Sequence, residues 1–310
     1  MHRTRPLVSV VTPTYNGETY IAETIRSVLG QEFSDFEYLI VDDASTDGTE
    51  TILRSFASQD PRIRCLRMEK NSGQPAIPRN FAVRSARGKY IALVDHDDLW
   101  LPEKLTLQVG YMESHPSVAV THGNAYNLRD NTEKGLTAYW KKPPHGENQF
   151  LYRKLLRGCC VISSTAVARK DCVMEAGLFP EAEGKRFVPD DWLLWIKISR
   201  KHPFTYLDRF LAHYRIHSAN LTASRRFMAE SDLFLFENYW EEMGLSPLSR
   251  RLALSERSYR LAKILYFDDH VFPSKELWKA FRLNPFNPRI YGFLARIGFR
   301  KRDRREGRGG

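Results

Sequence analysis

Cysteine is scarce in this chain, and the few present form no pattern. Cys65, Cys159, Cys160 and Cys172 make neither a C-x-x-C pair nor a zinc-finger spacing, and adjacent cysteines are poor disulfide partners. A disulfide framework and a structural zinc are therefore excluded, and the thiols read as reduced, as in a cytoplasmic protein. No stretch approaches the roughly 20 apolar residues that span a bilayer. The apolar run near the N-terminus, LVSVVT, is too short for the core of a signal peptide. Glycine-rich phosphate loops are missing too. Neither G-x-x-x-x-G-K-[ST] nor G-x-G-x-x-G follows that run, which speaks against a nucleoside triphosphatase and a dinucleotide oxidoreductase. No repeat or low-complexity linker divides the body.

What is present is globular. A chain of 310 residues, 42% hydrophobic and 27% charged, can bury a sizeable core and fits one large α/β domain with an appendage, or two domains. Its formal charge of +10 is unevenly spread: residues 282–310 hold nine Lys or Arg against Asp303 and Glu306, so 9 − 2 = +7 lies there. The body is nearly neutral and has no basic stripe with interleaved aromatics, so no nucleic-acid partner is expected.

Short apolar runs alternate with helical spacing over the first hundred residues. Leu7 to Thr12, Phe36 to Val41, Arg62 to Leu66 and Tyr90 to Val94 read as strands, with helices between them over Glu18 to Leu29, up to Ala57, and Pro78 to Ala86. This alternation predicts a mostly parallel sheet with ligands bound at the carboxyl ends of its strands. Further on, VAVTHGNAYNL and VISSTAVARKD read as strands, a polar excursion at Lys141 to Gly146 as a loop over the site, Asp190 to Arg200 as a helix, and Phe204 to Leu207 and Leu211 to Ile216 as two short strands. Helices follow over Phe227 to Met243, Leu248 to Phe267 and Ser274 to Leu283.

Chemistry gathers where the fourth strand ends, in KYIALVDHDDLWL. Asp95, Asp97 and Asp98 meet with only His96 between them, and like charges so close need a cation or hydrogen bonds in compensation. Hard oxygen ligands suit magnesium or manganese, ions that keep open positions for substrate phosphates. The alternative is a solvated acidic turn capping the next helix. Asp42 and Asp43 close the second strand and suit hydroxyl and N–H donors, such as those of a ribose and a nucleobase.

SVVTPTYNG, IVDDASTDGT, KNSG with Arg79-Asn80, ARGKYIALVDHDD, PDDW and YRIHSANLT, in this order over about residues 6–222, together resemble the family 2 inverting glycosyltransferases. The resemblance implies a GT-A fold, an α/β Rossmann-like central mixed sheet flanked by helices, with a C-terminal helical extension. It divides the chain at 1–222 (nucleotide-sugar half to about 120, acceptor half from 121) and 223–310. It implies a donor site of Pro13, Thr14, Tyr15, Asp42 or Asp43, Asn71, Gly73, Arg79, Asp95, His96 and Arg215, with Asp97 and His217 at a manganese or magnesium ion. Asp190 and Asp191 match the family's acidic pair, one being the base, and Trp192 is placed beside the acceptor. Two departures stand out: the first acid is Asp190 rather than Glu, and the A-R-N-x-G element reads Pro78-Arg79-Asn80-Phe81-Ala82.

The expected activity is metal-dependent, inverting transfer of a sugar from a nucleoside diphosphate to a glycan or lipid-linked glycan in cell-surface polysaccharide synthesis. A nucleotidyltransferase would want a basic glycine-rich loop after strand one. A silent sugar-nucleotide-binding protein would have lost Asp97 or the acidic pair, which are present. Ile290, Phe293, Leu294 and Ile297 recur at helical spacing between arginines and predict an interfacial helix on an anionic membrane, each basic residue there worth about 1 kcal/mol at best. Packing on protein is the alternative reading of that stripe.

Overall fold

A computed structural model describes residues 5–129, 132–139, 151–182 and 187–306, with backbone alone at 132–136 and 298–306. Contacts divide the chain into two compact units, Met1–Asn220 and Leu221–Gly310.

The first unit opens with β1 (Val8–Thr14), β2 (Phe36–Asp42), β3 (Ile63–Arg67) and β4 (Tyr90–Leu93), alternating with α1 (Ile21–Leu29), α2 (Thr49–Gln59) and α3 (Ala76–Ser85). It continues through β5 (Leu99–Trp100), α4 (Lys104–Ser114), β6 (Val120–Arg129), β7 (Thr132–Ala138), α5 (Leu151–Leu155), β8 (Val167–Arg169), α6 (Lys170–Glu175), α7 (Asp190–Ser199) and β9 (Phe204–Ile216). The strands form one sheet in the order β3-β2-β1-β4-β8-β6-β9-β5, with β7 on β6. The first four run parallel, while β8 is antiparallel to both β4 and β6, making the sheet mixed. Every residue of β1 and β2 is buried, so both are mostly apolar on two faces, and the polar exceptions bond each other inside: Ser9 Oγ donates to Glu37 at 2.7 Å.

Three departures from the sequence reading have physical causes. VISSTAVARKD is a strand only at Val167–Arg169, because Ser163–Thr165 winds into a 3₁₀ turn in which Thr165 Oγ1 donates back to the Ile162 carbonyl at 2.8 Å and Ser164 Oγ donates to Asp98 at 2.5 Å. The two short strands expected near residue 210 are one, β9, which follows β6 through two register shifts at His122–Ala125. Finally β5, two residues long, has no periodicity to read and exists by pairing Leu99 with His213 and Trp100 with Ala212. The excursion at Lys141 to Gly146 lies outside the described residues.

The second unit holds α8 (Arg225–Asn238), α9 (Pro247–Phe267), α10 (Ser274–Leu283) and α11 (Pro288–Glu306). Serine caps start two of them: Ser224 Oγ accepts from Phe227 N at 3.2 Å, and Ser246 Oγ from Ser249 N at 3.1 Å with Pro247 next in line. The apolar stripe read as a membrane face is interior. Ile290, Phe293 and Ile297 are 1%, 4% and 5% exposed, and the Phe293 ring meets Tyr266 and Tyr259 edge-on at 5.6 and 5.9 Å. Only Leu294 of the four is exposed. A helix docked on α9 and α10 buries the face that i, i+3, i+7 spacing marks, whatever charges border it. The side chains of the basic run from Arg300 lie outside the described residues.

Candidate active site

The carboxyl ends of β1, β2 and β4 place the first residues of the site. Pro13 and Thr14 end β1, both buried, and the Thr14 hydroxyl has no protein partner; Tyr15 follows, 44% exposed. Gly17 then brings the turn after β1 against the turn after β4, where a Cβ would stand 2.5 Å from Thr14 Oγ1 and 2.9 Å from the His96 ring. Only glycine permits that approach.

Asp42 and Asp43, equal candidates by sequence, diverge. Asp42 accepts from Ser45 N at 2.9 Å and pairs with Arg67, fixing the turn into α2. Asp43 turns the other way and accepts from Ser72 N at 3.0 Å, from the Ser72 hydroxyl at 2.8 Å and from Asn71 Nδ2 at 3.2 Å. Gly73 (φ 74°) lets this strand-side loop turn back. Burial raises the Asp43 pKa, with the Ser72 bonds opposing and the Asp42 charge assisting.

At the β4 end the acids separate similarly. Asp98 is enclosed, its carboxylate accepting from Ser164 Oγ at 2.5 Å and Arg215 N at 2.9 Å. Burial, then Asp97 and Asp95, push its pKa well up. Asp97 stays nearer the surface, with Oδ2 3.0 Å from His217 Nε2 and 3.2 Å from Asn220 Nδ2. Arg215, expected on the donor, is 2% exposed and is spent on the chain itself: Nε donates to the Asp97 carbonyl at 2.8 Å and Nη2 to Glu23 at 2.6 Å. Its other terminal nitrogen, Nη1, is buried without a hydrogen bond. Tyr20 lies between Arg215 and His217, under the guanidinium at 4.7 Å and 4.7 Å from the imidazole.

Arg79 joins the strand-end acids to the start of α7. Its Nη1 reaches both Asp190 oxygens at 2.9 and 2.8 Å, and Nη2 reaches Asp95 Oδ1 at 2.6 Å. The guanidinium is therefore a buried bridge, 6% exposed, rather than a surface presented to the donor. Burial would lower its pKa, but Asp190, Asp95 and Asp191 outweigh that and raise it. Asp190 is likewise buried, whereas Asp191 is only partly enclosed and accepts from Trp192 N at 2.7 Å. Burial and the Asp190 charge lift the Asp191 pKa to about 7, with Arg79 holding it back. Trp192 corrects the sequence reading. It is 3% exposed and its indole donates to the Leu155 carbonyl at 2.7 Å, so it is a core residue and not an acceptor contact.

Ser164 and Glu23 escaped the sequence reading as site residues, while Asp98, Ser72 and Asn220 stood in the acidic cluster and the quoted motifs without a role of their own. Ser164 and Glu23 carry no local signal, because their partners lie far along the chain. Asn220 had one: it closes a turn on His217, accepting from His217 N at 2.5 Å.

No three His, Cys, Asp or Glu side chains converge on a metal position among the described residues. Asp97 and His217 nevertheless supply one carboxylate and one imidazole side by side, each about one-seventh exposed. That donor set fits a divalent ion that takes its remaining ligands from phosphate and water.

A mixed α/β sheet with acids at the tips of β2 and β4 and an acid pair opening a helix is the architecture of the GT-A glycosyltransferases. The match to the family model "Glycosyl transferase family 2" spans residues 9–172, and the chain belongs to that family of glycosyltransferases. It is 30% identical over 233 residues to TuaG of Bacillus subtilis (strain 168), a protein named for teichuronic acid biosynthesis, covering 75% of this chain and 88% of that one. It is 30% identical over 249 residues to WfaP of Escherichia coli, named as a UDP-Glc:alpha-D-GlcNAc-diphosphoundecaprenol beta-1,3-glucosyltransferase, covering 80% and 91%. Among solved structures, Staphylococcus aureus TarS 1-349 with UDP-GlcNAc superposes with a TM-score of 0.63 at 23% identity over 85% of this chain and 74% of that one. The mannosyltransferase PcManGT of Pyrobaculum calidifontis, with GDP-Man and Mn2+, gives 0.58 at 20% identity over 94% and 84%. At these identities the structures speak for the fold. No helix among the described residues is long and apolar enough to cross a membrane.

Proposed function

We propose that the chain transfers a sugar, with inversion, from a nucleoside diphosphate to a hydroxyl of a lipid-linked glycan during assembly of a cell-surface polysaccharide, working at the cytoplasmic face of a membrane. The observation that carries this reading is the division of the acid pair at α7. Arg79 locks Asp190 in a buried bridge, while its neighbour Asp191 stays partly open with a pKa near neutrality. A carboxylate so poised is a general base.

In the proposed reaction the acceptor oxygen attacks the anomeric carbon and its proton passes to Asp191. The bond from that carbon to the diphosphate breaks on the opposite side, so the configuration inverts. Asp43, with Asn71 and Ser72, is the reader of the base, alongside Pro13, Thr14 and Tyr15; Asp95 is placed to meet the ribose. Asp97 and His217 would hold manganese or magnesium, which when bound neutralises charge on the departing diphosphate. Arg215, Asp98 and Ser164 position the Asp97 turn, and Arg79 and Asp190 position Asp191. The names of TuaG and WfaP support a polysaccharide and a diphosphate-lipid acceptor, and the nucleotides held by TarS and PcManGT support a nucleoside-diphosphate donor.

Thermal-shift screening of UDP, GDP and dTDP sugars with and without manganese should find a donor, and that donor should yield product on a diphosphate-lipid glycan with the anomeric configuration inverted. A retained configuration, or no response to any nucleoside-diphosphate sugar, defeats the proposal. Asp97→Ala should remove the metal-dependent part of nucleoside-diphosphate binding in calorimetry and leave the fold intact; unchanged affinity would show that the metal is held elsewhere.

A further inference from the structure

Burial of the α11 stripe removes the predicted membrane face but leaves another set of apolar side chains at the surface of the helical unit. Trp278 on α10 is 61% exposed, Phe286 in the turn between α10 and α11 is 88% exposed, and Tyr291 on α11 is 51% exposed. They are not scattered. Trp278 stacks on Phe281 at 5.7 Å with the planes 20° apart, and Phe281 meets Tyr291 edge-on at 6.4 Å. The Tyr291 hydroxyl donates to the Pro285 carbonyl at 2.6 Å, pinning the turn that carries Phe286. This is a preformed aromatic ridge, and a fully solvated phenylalanine at its tip needs an explanation in a water-facing protein.

The charge around the ridge states what kind of surface it meets. Lys275 and Arg282 lie three residues before and four after Trp278 on α10, the spacings that share a helix face, and both are exposed. Lys279 and Arg289 are taken by Glu237 and Glu256, whereas Arg296 extends exposed from α11. From Ser274 to Ile297 the sequence holds five Lys or Arg against Glu276, so 5 − 1 = +4. Tryptophan and tyrosine with an apolar body and a polar tip, with Lys275 and Arg282 beside the tryptophan, match the headgroup layer of an anionic bilayer. The rings enter the acyl boundary and the cations stay among the phosphates.

We propose that the helical unit docks on anionic lipid bilayers through Trp278, Phe281, Phe286 and Tyr291, with Lys275 and Arg282 at the headgroups. The inference is independent of which sugar or acceptor the enzyme uses. It places the docking face away from the α11 stripe.

Co-sedimentation of the full chain with phosphatidylcholine vesicles, with and without phosphatidylglycerol, at low salt and at about 0.5 M salt, tests it. The wild type should bind only vesicles containing phosphatidylglycerol, and more weakly at high salt. Trp278→Ala with Phe286→Ala should partition about tenfold more weakly or worse, and Lys275→Glu with Arg282→Glu should fall by a similar factor at low salt. All four positions are exposed, so melting curves should stay superimposable with wild type. Equal partitioning of the aromatic variant and wild type overturns the proposal, as does binding indifferent to lipid charge. So does a wild type that ignores vesicles yet forms a dimer which the aromatic variant dissolves, because the ridge would then be covered by a second copy.

Discussion

The site contains two adjacent aspartate pairs, Asp42-Asp43 at the tip of β2 and Asp190-Asp191 at the start of α7, and they handle the same electrostatic difficulty in parallel ways. In each pair one acid is committed to an arginine, Asp42 to Arg67 and Asp190 to Arg79, and the other is not: Asp43 is held by Ser72 and Asn71, and Asp191 accepts from Trp192 N. They differ in depth. The Arg67 side chain is 40% exposed, while that of Arg79 is 7% exposed and also holds Asp95. Two neighbouring carboxylates can therefore serve different roles when a single cation fixes one of them, and the depth of that cation decides how much the rest of the protein depends on it.

The contrast breaks most sharply at the buried arginine. Arg79→Leu strands Asp190 and Asp95 without their cation and should cost about 3–5 kcal/mol in denaturant unfolding. Arg67→Leu should cost less, about 1–2 kcal/mol, since Arg67 is already partly solvated and Ser45 N still serves the buried Asp42. Equal losses would mean that depth is not what separates the two pairs. Arg79→Lys keeps the charge but not the fork that spans two acids, and should fall between wild type and Arg79→Leu.

Within the α7 pair, Asp191→Asn should lower transfer about 100-fold or more and leave donor affinity unchanged, as loss of a general base does. Asp190→Asn should act mainly on stability and on the placement of Asp191. An inactive Asp190→Asn beside an active Asp191→Asn would exchange the two roles. In the β2 pair the effect is on binding: Asp43→Asn should weaken nucleoside-diphosphate affinity about tenfold by calorimetry, near 1.4 kcal/mol, and Asp42→Asn should barely change it.

The sequence made the parallel half of the sheet legible because β1, β2 and β4 are short, mostly apolar runs, β2 and β4 ending at acids, and buried parallel strands leave that signature. It also brought both aspartate pairs forward as candidates. It could not divide either pair. That division rests on Arg67 and Arg79, residues 25 and 111 positions from the acids they hold, and no local spacing records such distances. Trp192 and the α11 stripe show the reverse problem: an aromatic beside an acid pair and apolar residues between arginines have the composition of a contact surface and of a packed interior alike. Only the neighbours, Leu155 for the one and Tyr259 and Tyr266 for the other, tell them apart.

The last prediction concerns pH and tests the proton affinity of Asp191. Burial and the Asp190 charge raise its pKa to about 7 from an ordinary value near 3.8. Activity should follow the ionised form, so kcat/KM should rise with pH along a limb centred near 7. Stability runs the other way. A carboxyl whose folded pKa lies above its unfolded one contributes stability that is fully present below about pH 4 and is lost as pH rises through about 7. Asp191→Asn removes that loss. The variant should match wild type near pH 4 and exceed it by about 1–2 kcal/mol at pH 8, a figure reduced from the full linkage value because Asp191 is partly open to solvent. Since Asp190 and Asp191 titrate as a pair, the comparison is best drawn from melting temperatures across the range rather than at one pH. A stability difference that stays constant from pH 4 to pH 8 would show that Asp191 ionises as an ordinary surface aspartate, and the proposed base would lose its physical support even if the substitution abolished activity.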